Sequence, residues 1–224
     1  MLCVVLHICW RERLIEDYKA AFEDWQRAAK AFVDDFRVFF VDSCYGKTLL
    51  PNATSTTSTT NYTTQALLNL HPLSTPTLKR LPYLQRGKVL DRFYLTDTEM
   101  GQMKAAVTTL PTECTTIVKL TGKYFSESLP PYLQALGRGE PRPLLGLQER
   151  GPSYSGWSSE LFLMDRQLMK IALAGRFPRT EMWVDNVRQL LVALGHNSSI
   201  LFLPRFWLKR PVRRSGDRAR LTWI

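Results

Sequence analysis

Residues 2–9, LCVVLHIC, form a near-continuous apolar run, which is what a strand covered on both faces requires. A periodic segment follows. Leu14, Tyr18, Ala21, Phe22, Trp25, Ala29 and Phe32 recur at helical spacing, with Arg13, Glu16, Asp17, Glu23 and Arg27 on the opposite side; this is the pattern of an amphipathic helix. Residues 36–41, FRVFFV, then give a second apolar strand that closes on Asp42 and Ser43. Strand, helix and strand in this order predict a β-α-β unit: a parallel pair joined by a right-handed crossover. Such an opening commits the chain to layered α/β architecture.

The chain has 224 residues and is 45% hydrophobic, which suits one domain with a sizeable core. Its net charge of +10 favours acidic partners such as nucleotides, phosphosugars, nucleic acid or an anionic surface. The excess is uneven. Arg205, Lys209, Arg210, Arg213, Arg214, Arg218 and Arg220 crowd the end of the chain, opposed there only by Asp217. The remainder is mildly basic, so a nucleic-acid-binding core is not implied; neither a zinc finger, an RNA-recognition strand motif nor a KH loop is present.

Cys3, Cys9, Cys44 and Cys114 show no CxxC spacing and are too few for a disulfide scaffold, so they read as buried or structural thiols. His7, His71 and His196 are scattered without metal-ligand spacing, so a zinc site is not expected; no cofactor is expected either. No stretch approaches the ~18–20 apolar residues of a membrane span. Residues 1–10 lack the basic flank and cleavage site of a signal peptide, so the default compartment is the cytoplasm. Sequons stand at Asn52, Asn61 and Asn197. Without a visible secretory signal they read as chance matches, a reading that a longer N-terminus would change. Oligomeric state is not fixed by these features.

Residues 47–76 differ abruptly in composition: Thr and Ser dominate 52–64, without charge or apolar period. An exposed inserted loop is expected there. Residues 78–93 suit helix on either side of a break near Pro82 and Gly87. Thr96-x-x-Glu99 matches a capping box for a helix running to about residue 107. Residues 126–136 suit a short helix with Pro130 and Pro131 in its first turn, and 143–148 a strand. Residues 165–174 suit another helix, and Thr180 can cap one reaching residue 194. Residues 199–203 make a last strand, beyond which the basic segment has little reason to pack. No repeat is present.

Between these elements lies TTIVKLTGKYF, residues 115–125. Its β-branched and apolar residues favour a buried strand, and Gly122 lets the backbone turn or approach a ligand. Lys119 and Lys123 alternate with Thr121, so both face one side if the strand stays regular. At a strand's C-terminal end they and the Gly122 backbone are candidates to meet a phosphate. The ordinary alternative is a strand with solvated lysines. Neither Gly-rich fingerprint follows the first strand, which disfavours a Rossmann dehydrogenase or a P-loop ATPase.

The order of elements resembles nucleotide-diphospho-sugar transferases with the GT-A fold, particularly small algal, bacterial and viral members. The match is carried by Arg13, Tyr18, Trp25 and the strand closing on Asp42, by Lys119 to Tyr124, by Ser159-Glu160-Leu161-Phe162, and by the acidic helix after Thr180. It covers roughly residues 1–203. The resemblance implies one domain over 1–203, with a mostly parallel central sheet and helices on both faces; the Thr/Ser-rich loop inserted at about 51–65, read from composition, has no counterpart in it. Residues 204–224 remain as a basic tail. The chain departs from many of these enzymes in one respect: no Asp-x-Asp occurs at the Lys119 strand, and Asp34-Asp35 precedes the second strand.

What the resemblance implies for function is a transfer from a nucleotide-sugar donor to a carbohydrate or other hydroxyl acceptor, without an Asp-x-Asp metal. Asp42 would stand near the nucleoside, with Lys119, Gly122 and Lys123 near the diphosphate. Glu160 would serve as base, since inverting transfer needs a group to take the acceptor proton. Arg13, Arg86, Tyr124 and Trp157 are further candidate contacts, and Asp165 is the next candidate base. The ordinary readings are a strand-end Asp42, a Glu160 at a helix N-terminus, solvated Arg86 and a Trp157 in the core. Two other classes stay open: a degenerate GT-A-like interaction protein, and a nucleic-acid binder whose tail contacts phosphates. The tail's charge also suits an anionic surface or polymer.

Overall fold

The computed structural model describes residues 1–8, 15–42, 67–69, 103–104, 106–108, 110–149, 157–174, 183–213 and 220–224. The expected opening unit is present. Strand β1 (Leu2–Ile8), helix α1 (Ile15–Ala31) and strand β2 (Phe36–Asp42) follow one another, and β1 pairs with β2 in parallel from Leu2↔Phe36 to Ile8↔Asp42. Glu16 and Asp17 in the first turn of α1 and Lys30 in its last complement the helix dipole.

Five further strands extend the sheet: β3 (Leu67–Asn69), β4 (Thr116–Thr121), β5 (Leu145–Glu149), β6 (Trp157–Asp165) and β7 (Ile200–Phe202). The order is β3-β2-β1-β4-β6-β5-β7. Strand β4 lies parallel to β1, and β7 parallel to β5, whereas β6 is antiparallel to both neighbours. One strand therefore runs against the rest. The C-terminal ends of β1, β2, β4, β5 and β7 consequently share one edge with the start of β6. Strand β3 falls inside 47–76, which the sequence reading gave wholly to a loop; the Thr/Ser-rich stretch and the predicted helix of 78–93 lie outside the described residues.

Helices α2 (Leu129–Arg138), α3 (Arg166–Ala174) and α4 (Trp183–Ala193) complete the layers, with proline at the start of α2 as expected. Residues 103–104 and 106–108 are helical too; their proposed cap at Thr96 lies outside the described residues. The strands alternate between two cores. Leu2, Val4, Leu6, Val118 and Leu120 pack with Tyr18 and Trp25 of α1 and Leu133 of α2. Cys3, Val5 and Ile117 face the other way, onto Met103, Met169, Trp183 and Val187. Helices thus cover both faces, and the near-continuous apolar runs in β1 and β4 are the sequence signature of that double burial.

Two expectations are corrected. The segment after Leu203 packs: β8 (Trp207–Arg213) and β9 (Arg220–Trp223) form an antiparallel hairpin. Phe206, Leu208, Val212 and Ile224 are buried in the core of α1, Phe206 meets Tyr132 edge-on at 5.2 Å, and Lys209 N–H donates to the Phe125 carbonyl at 2.9 Å. Pro211 and the dense cations disguised a strand whose apolar residues are spaced to face inward. The second correction is covalent. Cys3 and Cys114, read as thiols, are joined as a disulfide across 111 residues of sequence, because β1 and the approach to β4 lie side by side.

Candidate functional site

Strand β4 places the central residues. Its register sets Lys119 opposite Phe162 of β6 and Thr121 opposite His7 of β1. Alternation puts His7, Lys119, Thr121 and Glu160 on the sheet face covered by α3 and α4, at or next to the C-terminal edge. The Thr121 hydroxyl donates to Glu160 Oε2 at 2.7 Å. Glu160 is therefore a strand residue, not the helix N-terminal carboxylate that was its ordinary alternative, and its orientation is set by a neighbour on β4. Lys119 is 2% exposed, and its ammonium stands 5.9 Å from the centroid of the Phe162 ring. That ring in turn meets Trp183 of α4 edge-on at 5.1 Å.

The two motif lysines do not share a face. Strand β4 ends at Thr121, and Gly122 and Lys123 form a turn in which Gly122 N–H donates to the His7 carbonyl at 2.8 Å and Tyr124 N–H to the Thr121 carbonyl at 3.0 Å. The turn breaks the two-residue alternation on which the expectation rested. The Gly122 N–H is likewise committed to β1. Lys123, 3% exposed, lies 5.1 Å from the Tyr124 ring centroid and lines a shallow cleft with Asp17, Asp24, Phe125, Lys209 and Arg210. That cleft belongs to the α1 side. Tyr124 is fully buried in the same core, and its carbonyl accepts a 2.8 Å bond from the Trp25 indole.

Asp42 closes β2 opposite Ile8 and Asn69, and Trp157 opens β6 opposite Glu149; both are at the C-terminal edge. Arg13 and Arg86 lie outside the described residues. Asp165 is at the other edge, opposite Thr116, and caps α3 by accepting from the N–H groups of Gln167 at 2.8 Å and Leu168 at 3.0 Å. Five strand residues from Glu160, roughly 17 Å, it cannot substitute as a base at the same site.

Several residues escaped the sequence reading. Arg166 is buried and donates to the carbonyls of Val107, Leu110 and Pro111, satisfying the end of the helical segment there. Its partners lie more than fifty residues upstream, so no local pattern marks it. Asp24 of α1 is an anion that is only 1% exposed. It pairs with Arg27, with Lys209 at 3.1 Å and with Arg210 at 2.7 Å. Burial pushes its pKa up, but hydrogen bonds from Lys209 and Arg27 and the Arg210 charge outweigh that and hold it below the usual range. Among the described residues there is no group of three or more His, Cys, Asp or Glu able to hold a metal ion, and no helix is long and apolar enough to cross a membrane.

The architecture has solved counterparts. A glycosyltransferase involved in the glycosylation of the major capsid of PBCV-1 aligns over 91% of this chain and 81% of its own length, with a TM-score of 0.52 at 9% identity. The fold is GT-A-like. A 4-diphosphocytidyl-2C-methyl-D-erythritol synthase from Anaerococcus prevotii aligns over 90% of this chain and 86% of its own, with a TM-score of 0.45 at 9% identity. At such identity the likeness concerns the fold alone. No protein-family model matches the sequence, and no curated protein does so. In a GT-A-like sheet with this topology, the edge that collects His7, Thr121, Glu160, Asp42 and Trp157 is the edge at which open α/β sheets bind ligands. A carboxylate fixed by a hydroxyl and a buried ammonium on the same face can there handle a proton and an anion.

Proposed function

We propose that this chain is a glycosyltransferase that moves a sugar from a nucleoside-diphosphate donor to a hydroxyl acceptor, with Glu160 as general base. The observation that carries this reading is the convergence of Lys119, Thr121 and Glu160 on one face beside the ligand-binding edge of a GT-A-like sheet. In this scheme Glu160 accepts the proton of the acceptor hydroxyl as its oxygen bonds to the anomeric carbon. The nucleoside diphosphate departs with the electron pair of the broken bond, and attack from the opposite face inverts the anomeric centre. Thr121 holds the carboxylate in position. Asp42 closes β2 at the same edge, and in this scheme it contacts the nucleoside.

The sequence offers no Asp-x-Asp at β4, so diphosphate charge falls to lysine. Lys119 takes that role, because it shares a face with Glu160; Lys123, with Gly122, sits at the turn on the α1 side as a secondary contact. A charge-assisted contact contributes about 1.5–3 kcal/mol, roughly a tenfold or greater change in affinity. Calorimetry with a panel of nucleotide sugars should find a donor whose affinity drops about tenfold in Lys119→Met, which keeps the apolar stem, and drops less in Lys123→Met. Glu160→Gln should leave donor affinity intact and lower turnover by about 10²–10⁴. Activity should persist with a chelator. Wild-type turnover in Glu160→Gln would put the base elsewhere; a folded chain that binds no donor would favour the degenerate interaction protein.

A further inference from the structure

The disulfide changes what the sequons mean. Cys3 and Cys114 are each 0% exposed and bonded to one another, and such bonds persist in oxidising compartments, where N-glycosylation also takes place. Reading the sequons as chance rested on a cytoplasmic default that a buried disulfide contradicts. Three of the chain's five asparagines, Asn52, Asn61 and Asn197, open an Asn-x-Ser/Thr triplet. Of these, only Asn197 stands outside the Thr/Ser-rich stretch that makes such triplets common.

Its surroundings suit an acceptor. Asn197 begins a short 3-10 helix, Asn197–Ser199, after a turn at Gly195 whose φ of 78° favours glycine. Asn197 and Ser198 are exposed, while Ser199 anchors the turn by accepting from Leu144 N–H at 3.0 Å. The chain then enters β7 at Ile200, opposite Leu145. This is the N-terminal edge of the sheet, the end away from Glu160. A glycan here leaves the candidate site open. Just upstream, Leu190, Val192 and Leu194 are 46%, 42% and 62% exposed, an apolar end of α4 that a bulky hydrophilic group would shield.

We infer that Asn197 is an N-glycan acceptor in a chain that matures under oxidising conditions. In the modification, the Asn197 side-chain nitrogen bonds to the anomeric carbon of a diphosphate-linked oligosaccharide. The bond from that carbon to the diphosphate oxygen breaks, the carrier diphosphate leaves with the electron pair, and one amide proton passes to the transferring enzyme's base. The inference is independent of the proposed glycosyl transfer by this chain itself.

The test is mass spectrometry on the endogenous full chain, captured by an antibody raised to the recombinant protein. Free thiols are alkylated before digestion without reductant, and peptides are treated with a glycan-releasing amidase in heavy-oxygen water. The expected result is a linked pair of peptides containing Cys3 and Cys114, and heavy aspartate at position 197. In full chain passed through a eukaryotic secretory route, Ser199→Ala should abolish the modification at Asn197 while the linked pair remains. Alkylated Cys3 and Cys114, or an Asn197 peptide without the heavy label, overturns the inference.

Discussion

Desolvating a charge costs several kcal/mol unless the protein supplies partners, so Asp24 and Lys119, 1% and 2% exposed, mark where single residues carry the most. Asp24 is held by three cations, two of them from β8. Asp24→Asn keeps the shape and removes the charge, and should lower stability by about 2 kcal/mol, the scale of hydrogen bonds to an ion. The pH dependence has a definite sign. A carboxylate whose folded pKa is depressed contributes stability above its unfolded pKa and loses that contribution as pH falls through the folded value. The gap in melting temperature between wild type and Asp24→Asn should therefore be full near neutrality and close below about pH 4. Glu113, depressed by a backbone hydrogen bond and then by Arg37, and Asp35, where hydrogen bonds from Arg138 and Gln134 outweigh desolvation, destabilise both proteins alike in acid, which is why the difference is the quantity to measure. At the candidate site, Thr121→Val removes the bond to Glu160 at nearly constant volume. Turnover should fall about tenfold with donor affinity unchanged; a matched loss of both would make Thr121 a donor contact instead.

Elements whose burial is written in a local pattern were legible, and those held by distant partners were not. Strands β1, β2 and β4 are apolar runs covered on both faces, so their own residues announce them. Strand β6 (Trp157–Asp165) was not read as a strand, because its polar start, Ser158, Ser159 and Glu160, read equally as the first turn of a helix. The β8–β9 hairpin was missed for a different reason. Its inward residues, Leu208 and Val212, are separated by cations, and those cations find their anion in α1, far upstream. A solvated tail could be removed without consequence; this one closes a core. Truncation after Leu203 should expose Trp25, Leu133 and their neighbours, giving insoluble or molten chain, where a free tail would leave a native thermal transition. The same geometry limits the tail's use of charge. Lys209 and Arg210 are engaged with Asp24, so retention on heparin should depend on Arg205 and Arg220 more than on that pair, as elution salt for the double alanine variants will show.

At the scale of the molecule, one covalent bond ties the start of the first strand to the approach of the central one. The cysteine pairing could not be read from spacing, since Cys3 and Cys114 meet only after β1 and β4 have paired. Bridging 111 residues restricts the unfolded chain far more than the folded one, where Leu2 and Thr116 are already neighbours in the sheet. A bridge of this span is expected to contribute about 2–4 kcal/mol, equivalent to a melting shift on the order of 5–15 °C for a chain of this size. Cys114→Ala should show that loss in a thermal scan without reductant. Reductant added during unfolding should lower wild type by a similar amount and leave Cys114→Ala where it was. If wild type and variant respond to reductant alike, the bond does not form in solution, and the oxidising compartment inferred for Asn197 loses its physical basis. The GT-A-like sheet would still stand, because its strands are paired through backbone hydrogen bonds and two apolar cores that owe nothing to the sulfur.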